Sequence, residues 1–103
     1  MAGFAIVEWN REPDEMTAYI QTIEVAPERR GCGVGHELLG RIESPARLAG
    51  ARRIWLHVEV SNAGAIRLYE AKGYRCEDRQ ENYYPRGRSA LIYVKRLDAE
   101  TAS

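Results

Sequence analysis

Three glycines at alternate positions, Gly31, Gly33 and Gly35, stand between a β-branched stretch and an amphipathic one, and no other feature constrains this 103-residue chain more. Without side chains, such a segment adopts positive φ and lets its backbone approach a ligand closely. At the start of a helix, the N–H groups of residues 32–36 converge where the helix dipole is positive. That makes an anion site suited to a phosphate or pyrophosphate. Two familiar phosphate motifs do not fit. The GxGxxG fingerprint needs a glycine where this chain has His36, and no Gly-Lys-Ser/Thr follows as a P-loop requires. The plainer alternative is a tight turn whose glycines only avoid clashes. The preceding strand, the adjacent Arg30 and the amphipathic helix that follows favour a ligand site.

The rest of the chain places this loop. Residues 3–9 are short, apolar and partly β-branched, and read as a strand; 10–15 collect turn formers and charges. Residues 19–25, with Ile20, Thr22, Ile23 and Val25, read as a second strand paired to the first as a hairpin, ended by Pro27. From His36 the period changes: Leu38, Leu39, Ile42, Ala46 and Ala49 recur at helical spacing. Pro45 lies inside that helix and is expected to kink it, and Gly50 stops it. Residues 54–60 form the strongest strand. Asn62 caps a second helix over 63–72, closed by Gly73. Residues 74–83 and 90–95 complete the set as strands.

The order β-β-α-β-α-β-β predicts an α/β (α+β) fold. The strand–helix–strand crossover demands a central parallel pair, and the flanking hairpins make the rest of a mixed sheet mostly antiparallel, with helices packed on it. A chain of this length supports a single domain, 1–103. Formal net charge is zero, so no global field draws it to nucleic acid or an anionic membrane. No apolar run is long enough to span a bilayer, and no leader pattern opens the chain. Cys32 and Cys76 have neither metal-ligand nor disulfide-framework spacing, so no metal is expected and a cytoplasmic setting is.

Two blocks of residues carry a resemblance. Val25-x-Pro27-x-x-Arg30-Gly31-x-Gly33-x-Gly35, running into His36-Glu37-Leu38-Leu39, resembles the cofactor-binding segment of the GNAT N-acetyltransferases. Ser61-Asn62-x-x-Ala65-Ile66-x-Leu68-Tyr69-Glu70-x-x-Gly73-Tyr74 is similar to a second block of that family, in the same order and at its usual separation. Within the family, Trp55-Leu56 leading to Ser61-Asn62, with Asn82-Tyr83-Tyr84-Pro85 before the last strand, looks like the RimI-like enzymes that acetylate protein N-termini. The resemblance implies acetyl-CoA as cofactor and a primary amine as acceptor. It assigns the pyrophosphate to the backbone from Gly31 through Cys32, Gly33, Val34, Gly35 and His36, with Arg30 beside it. It assigns the pantetheine arm to main-chain groups around Ile23 and Val25, with Asn62 contacting the same arm. Tyr69 matches the tyrosine that protonates the departing thiolate in these enzymes.

The general base is less determined. The RimI-like enzymes carry a glutamate where this chain has His57, and histidine does such work near neutral pH. Glu24 and Glu59 are rivals, and a histidine merely satisfied by one hydrogen bond is the bland reading. The family also usually begins with a strand and two helices that wall the acceptor site. Here only Met1-Ala2 precede the 3–9 strand, which leaves an N-terminally short domain whose uncovered sheet should seek a partner, as a homodimer or on a docking protein. A non-catalytic acyl-CoA-binding or interaction module, or a site for another phosphorylated ligand, are the competing readings.

Overall fold

A computed structural model describes residues 3–11, 13–29, 31 and 33–97; Arg30 and Cys32 lie outside the described residues. The elements are β1 (Gly3–Arg11), β2 (Met16–Val25), a 3-10 turn (Pro27–Arg29), α1 (Val34–Leu48), β3 (Ala51–Glu59), α2 (Ala63–Ala71), β4 (Arg75–Tyr84), a second 3-10 turn (Pro85–Gly87) and β5 (Arg88–Arg96). They stand in the expected order, with half of the ends extended by one to three residues and the others unchanged or one residue shorter. The five strands lie in the order β1-β2-β3-β5-β4, with β2 and β3 parallel and every other pair antiparallel. Among the described residues no helix is long and apolar enough to cross a membrane.

Alternation along β3 decides which face is covered. Ile54, Leu56 and Val58 are buried, whereas Trp55, His57 and Glu59 between them are only partly so. The buried set joins Ala18 and Ile20 of β2, Leu39, Ile42 and Ala46 of α1, and Tyr69 of α2 in one cluster, so both helices pack on that face. Of the stripe predicted for α1, Leu39, Ile42 and Ala46 are buried, Leu38 is half-buried and Ala49 is exposed past the helix end; the helix runs unbroken past Pro45, whose carbonyl accepts the Ala49 N–H at 2.9 Å. Gly50, at φ 87°, follows it as the expected stop. The opposite face carries Tyr19, Trp55, His57 and Tyr83 together with Phe4 and Ile6 of β1, which stay 46% and 48% exposed.

One buried charge ties α1 to the sheet. Glu43, only 4% exposed, accepts the Tyr74 hydroxyl at 3.0 Å and the Lys95 ammonium at 3.1 Å. Glu43 follows Leu39 by four residues on the apolar stripe, so the helix forces it inward and the two donors satisfy it. Glu43→Ala strands both partners and is expected to cost about 3–5 kcal/mol, read as a lower urea midpoint with an unchanged m-value. A loss within 0.5 kcal/mol or so, as for ordinary surface substitutions, would remove this cluster from the account.

Candidate active site

Parallel pairing between β2 and β3 stops at Ile20 and Leu56. Beyond that point β2 follows β1 and β3 follows β5, so the two strands splay. The cause is local. Ile6 pairs with Thr22 but Val7 with Ile20, so Gln21 is an extra residue on β2, a bulge that bends the strand away from its parallel neighbour. The main-chain edges of residues 22–25 thereby face a gap instead of a ladder.

The glycine loop closes one end of that gap. A cleft of about 1040 Å³ runs from Ile23, Glu24 and Val25 on β2 past Gly31, Gly33, Val34, Gly35 and His36 to the exposed side of α2. Gly33 is the N-cap of α1, at φ 83° and ψ 6°, and no side chain caps the helix. The first helical bond is donated by Glu37 to the Gly33 carbonyl, so the N–H groups of residues 34–36 remain for a ligand. A Cβ on Gly31 or Gly33 would meet nothing within 4 Å, because both point into open space. Gly35 serves packing instead: a Cβ there would lie 2.7 Å from Leu68 Cδ2, so its absence lets the first turn of α1 approach α2.

A second cavity of about 390 Å³ lies between the splayed strands, bordered by His57 and Glu59 of β3 and by Tyr84 and Arg88. It shares Ile23, Glu24, Asn62 and Tyr69 with the cleft. Those four residues mark a junction. Asn62 caps α2, its Oδ1 accepting the Ala65 N–H at 3.2 Å, which leaves its amide nitrogen to donate. Tyr69 is buried in the cluster. Burial first, then the neighbouring Tyr84, pushes its phenol up to about 12, so it stays protonated far above neutral pH.

His57 is held on three sides. Its Nδ1 lies 2.8 Å from the Tyr19 hydroxyl and its Nε2 2.8 Å from Gln80 Oε1, while the Tyr83 ring stacks on it at 4.2 Å and 8°. Burial, reinforced by Tyr83 and Tyr84, holds the Tyr19 phenol protonated. The two glutamates differ. Glu24 is exposed and accepts the Thr22 hydroxyl at 3.3 Å. Glu59 is neutralised by Arg88 at 2.8 Å and accepts Ser61 Oγ at 2.6 Å.

Every described residue given a cofactor-binding or catalytic role from sequence therefore borders one of the two connected cavities. Arg30 and Cys32 lie outside the described residues. Four contributors escaped the sequence reading. Tyr19 and Gln80 reach His57 from other strands, 38 and 23 residues away in the chain. Arg29 and Arg67 border the cleft with no carboxylate partner among the described residues. Only Arg67 had a legible signal: Gly64, Arg67, Leu68 and Ala71 line the cleft at the i, i+3, i+4, i+7 spacing of one helix face.

Known proteins resemble this chain in sequence and fold. The chain is 40% identical over 74 residues to a streptothricin acetyltransferase of Streptomyces lavendulae, covering 72% of this chain and 38% of that protein. It is 38% identical over 85 residues to the [ribosomal protein bS18]-alanine N-acetyltransferase of Escherichia coli, covering 82% of this chain and 55% of that one. The solved structure of the E. coli enzyme superposes with a TM-score of 0.80 at 33% identity, over 94% of this chain and 62% of that chain. An Arabidopsis thaliana Naa50 solved with a bisubstrate analogue gives a TM-score of 0.84 at 28% identity, over 91% and 64%. The chain thus spans about half the length of the curated bS18-alanine relatives it matches. Residues 1–74, which hold the bulged strand, the glycine loop, Asn62 and Tyr69, match the profile of the Acetyltransferase (GNAT) family, and to that family this chain belongs.

Proposed function

We propose that this chain binds acetyl-CoA in the glycine-loop cleft and transfers its acetyl group to a primary amine, with a peptide or protein N-terminus as the acceptor. The observation that carries the reading is the junction: an anion-binding cleft and a second cavity containing a histidine meet at Asn62 and Tyr69. The residues present fit the nucleotide, because an uncapped helix N-terminus and a glycine that opens on free space cradle a phosphate.

Bound acetyl-CoA supplies an activated acetyl group and a thiolate leaving group. The chain's residues do the rest. N–H groups of the loop and first helical turn hold the pyrophosphate, and Arg29 and Arg67 face its charges. Asn62 and the edge of residues 23–25 orient the pantetheine arm. The amine enters from the second cavity, and its nitrogen attacks the carbonyl carbon as the C–S bond breaks. Both nitrogens of His57 are engaged, so its proton arrives through Tyr19, which passes its own to Nδ1 and takes one from the amine. Tyr69, a protonated phenol at the junction, delivers a proton to the thiolate. Glu24, exposed and with no ion pair among the described residues, is the alternative base.

The bS18-alanine and Naa50 relatives, together with the aromatic border of Tyr83 and Tyr84, support a polypeptide α-amine. The streptothricin relative makes a small-molecule amine the comparison substrate. His57→Ala, assayed with a short peptide bearing a free N-terminus, is expected to lower kcat about 100-fold while leaving the KM for acetyl-CoA unchanged. Unaltered turnover would transfer the base to Glu24.

The same reading includes a cytoplasmic setting, consistent with the free, exposed Cys76. It also includes a partner on the open sheet face, where Phe4 and Ile6 stay half exposed. A second copy of this chain is the simplest occupant, and sedimentation equilibrium distinguishes it from a separate docking protein.

A further inference from the structure

Gln80 reaches across two strands to touch His57. Gln80 sits on edge strand β4, and His57 lies two strands away on β3, a separation of about 10 Å between backbones. The intervening β5 places Ala90 opposite Gln80 and Ile92 opposite His57. Ala90 is fully buried and carries only a methyl group on this face. Its small volume leaves room for the amide and the imidazole to meet above it, at 2.8 Å.

From this geometry we infer that Gln80 is a positioning residue, which selects the tautomer of His57 by accepting its Nε2–H and thereby turns the Nδ1 lone pair toward Tyr19. The inference rests on the reading of His57 as the base. A neutral imidazole has one donor and one acceptor nitrogen, and the neighbour of either settles the other. With the Gln80 carbonyl oxygen on Nε2, the proton resides there. Nδ1 must then accept, and the Tyr19 hydroxyl, 2.8 Å away, must donate. In the opposite tautomer Nδ1 carries a proton and cannot receive another, so the relay from the amine is blocked. Tyr83 completes the clamp by fixing the ring plane from above.

Among the described residues, the groups on this face around His57 are Tyr19 on β2, Trp55 and Glu59 on its own strand, Asp78, Gln80 and Tyr83 on β4, and Ile92 on β5. Glu59 is committed to Arg88 and Ser61, and Asp78 accepts the Arg79 N–H at 2.8 Å, so Gln80 is the acceptor placed to choose the tautomer.

The chain contains only two histidines, so ¹⁵N NMR resolves the tautomer of each directly, without any activity assay. The wild type is expected to show His57 protonated at Nε2. Gln80→Leu removes the acceptor and is expected to mix the tautomers and lower kcat about 10-fold, with the KM for acetyl-CoA unchanged. Gln80→Glu keeps an acceptor and should rescue both the tautomer and kcat. An Nδ1-protonated His57 in the wild type, or an unchanged tautomer in Gln80→Leu, overturns the inference. His57→Ala separates the two claims. If that variant is fully active the base assignment fails, whatever the tautomer. If it is inactive while Gln80→Leu keeps wild-type turnover, the role of Gln80 fails alone.

Discussion

Replacing Gly33 with glutamate is expected to abolish saturable binding of acetyl-CoA, weakening it by at least about 100-fold through backbone strain and charge repulsion together. Gly33 occupies the left-handed region at φ 83°, where any side chain costs about 1–2 kcal/mol. A Cβ there has nothing within 4 Å, so the glutamate projects into the cleft instead of the protein core. Its carboxylate would sit where two phosphates must bind, at the positive end of α1. That same dipole partly stabilises the new charge in the free protein, so the fold should survive with only a modest loss of thermal stability. Calorimetric titration checks both points. Near-normal affinity in the folded variant would mean that the loop is only a turn and that the phosphates bind elsewhere.

Tyr69→Phe is the second large effect. The ring packs among Tyr74 and Tyr93, at centroid distances of 6.0 and 6.4 Å, and phenylalanine preserves that packing. What is lost is a proton donor, worth about 100-fold in kcat for a positioned general acid. Acetyl-CoA affinity should not change, because the glycine loop and Asn62, the proposed binding groups, are untouched. The pH dependence follows from the environment. Burial holds this phenol neutral in the folded state, so its contribution to stability is complete below the ordinary tyrosine value of 10.0. It is lost only as pH climbs through about 12, and Tyr69 therefore imposes no descending limb on the pH–rate profile below that range. Steady-state kinetics of the variant decide the matter, and unchanged kcat would remove Tyr69 from its role.

Much of the site was legible because it is local. The loop, the helix it opens and the Asn62 cap lie within short stretches, and their chemistry follows from backbone conformation. Helix and strand ends were less legible. β2 begins at Met16, three residues before the strand read from sequence, because pairing with Trp9, Asn10 and Arg11 of β1 recruits Met16, Thr17 and Ala18. Three features were out of reach for a common reason. The bulge at Gln21 exists only in the register between β1 and β2, a tertiary quantity. The hydrogen bonds from Tyr19 and Gln80 to His57 depend on which strands become neighbours and at what offset. Sequence alone therefore left His57 between a base and a bystander. Buried Glu43 escaped for a different reason: a charge on a helix is normally read as solvated. Its place four residues after Leu39, on the apolar stripe, was the available sign.

The open sheet face connects fold to function. Tyr19, Trp55, His57 and Tyr83 form an aromatic surface that no helix covers among the described residues. This is the face on which the second cavity's histidine lies, so whatever covers it also shapes the acceptor path. Acceptor preference measured with and without a partner would therefore differ more than acetyl-CoA affinity, which depends on groups around the glycine loop.

The central claim is that one chain unites a cofactor cleft with an amine site. Its most direct test is to incubate the purified protein with acetyl-CoA and a peptide bearing a free N-terminus, then follow peptide mass and released thiol together. The account predicts one acetyl group on the α-amine, stoichiometric release of CoA, and loss of both signals in Gly33→Glu. Saturable acetyl-CoA binding with no acetylated product from any peptide or small amine would contradict it, and would leave a binding module in place of an enzyme.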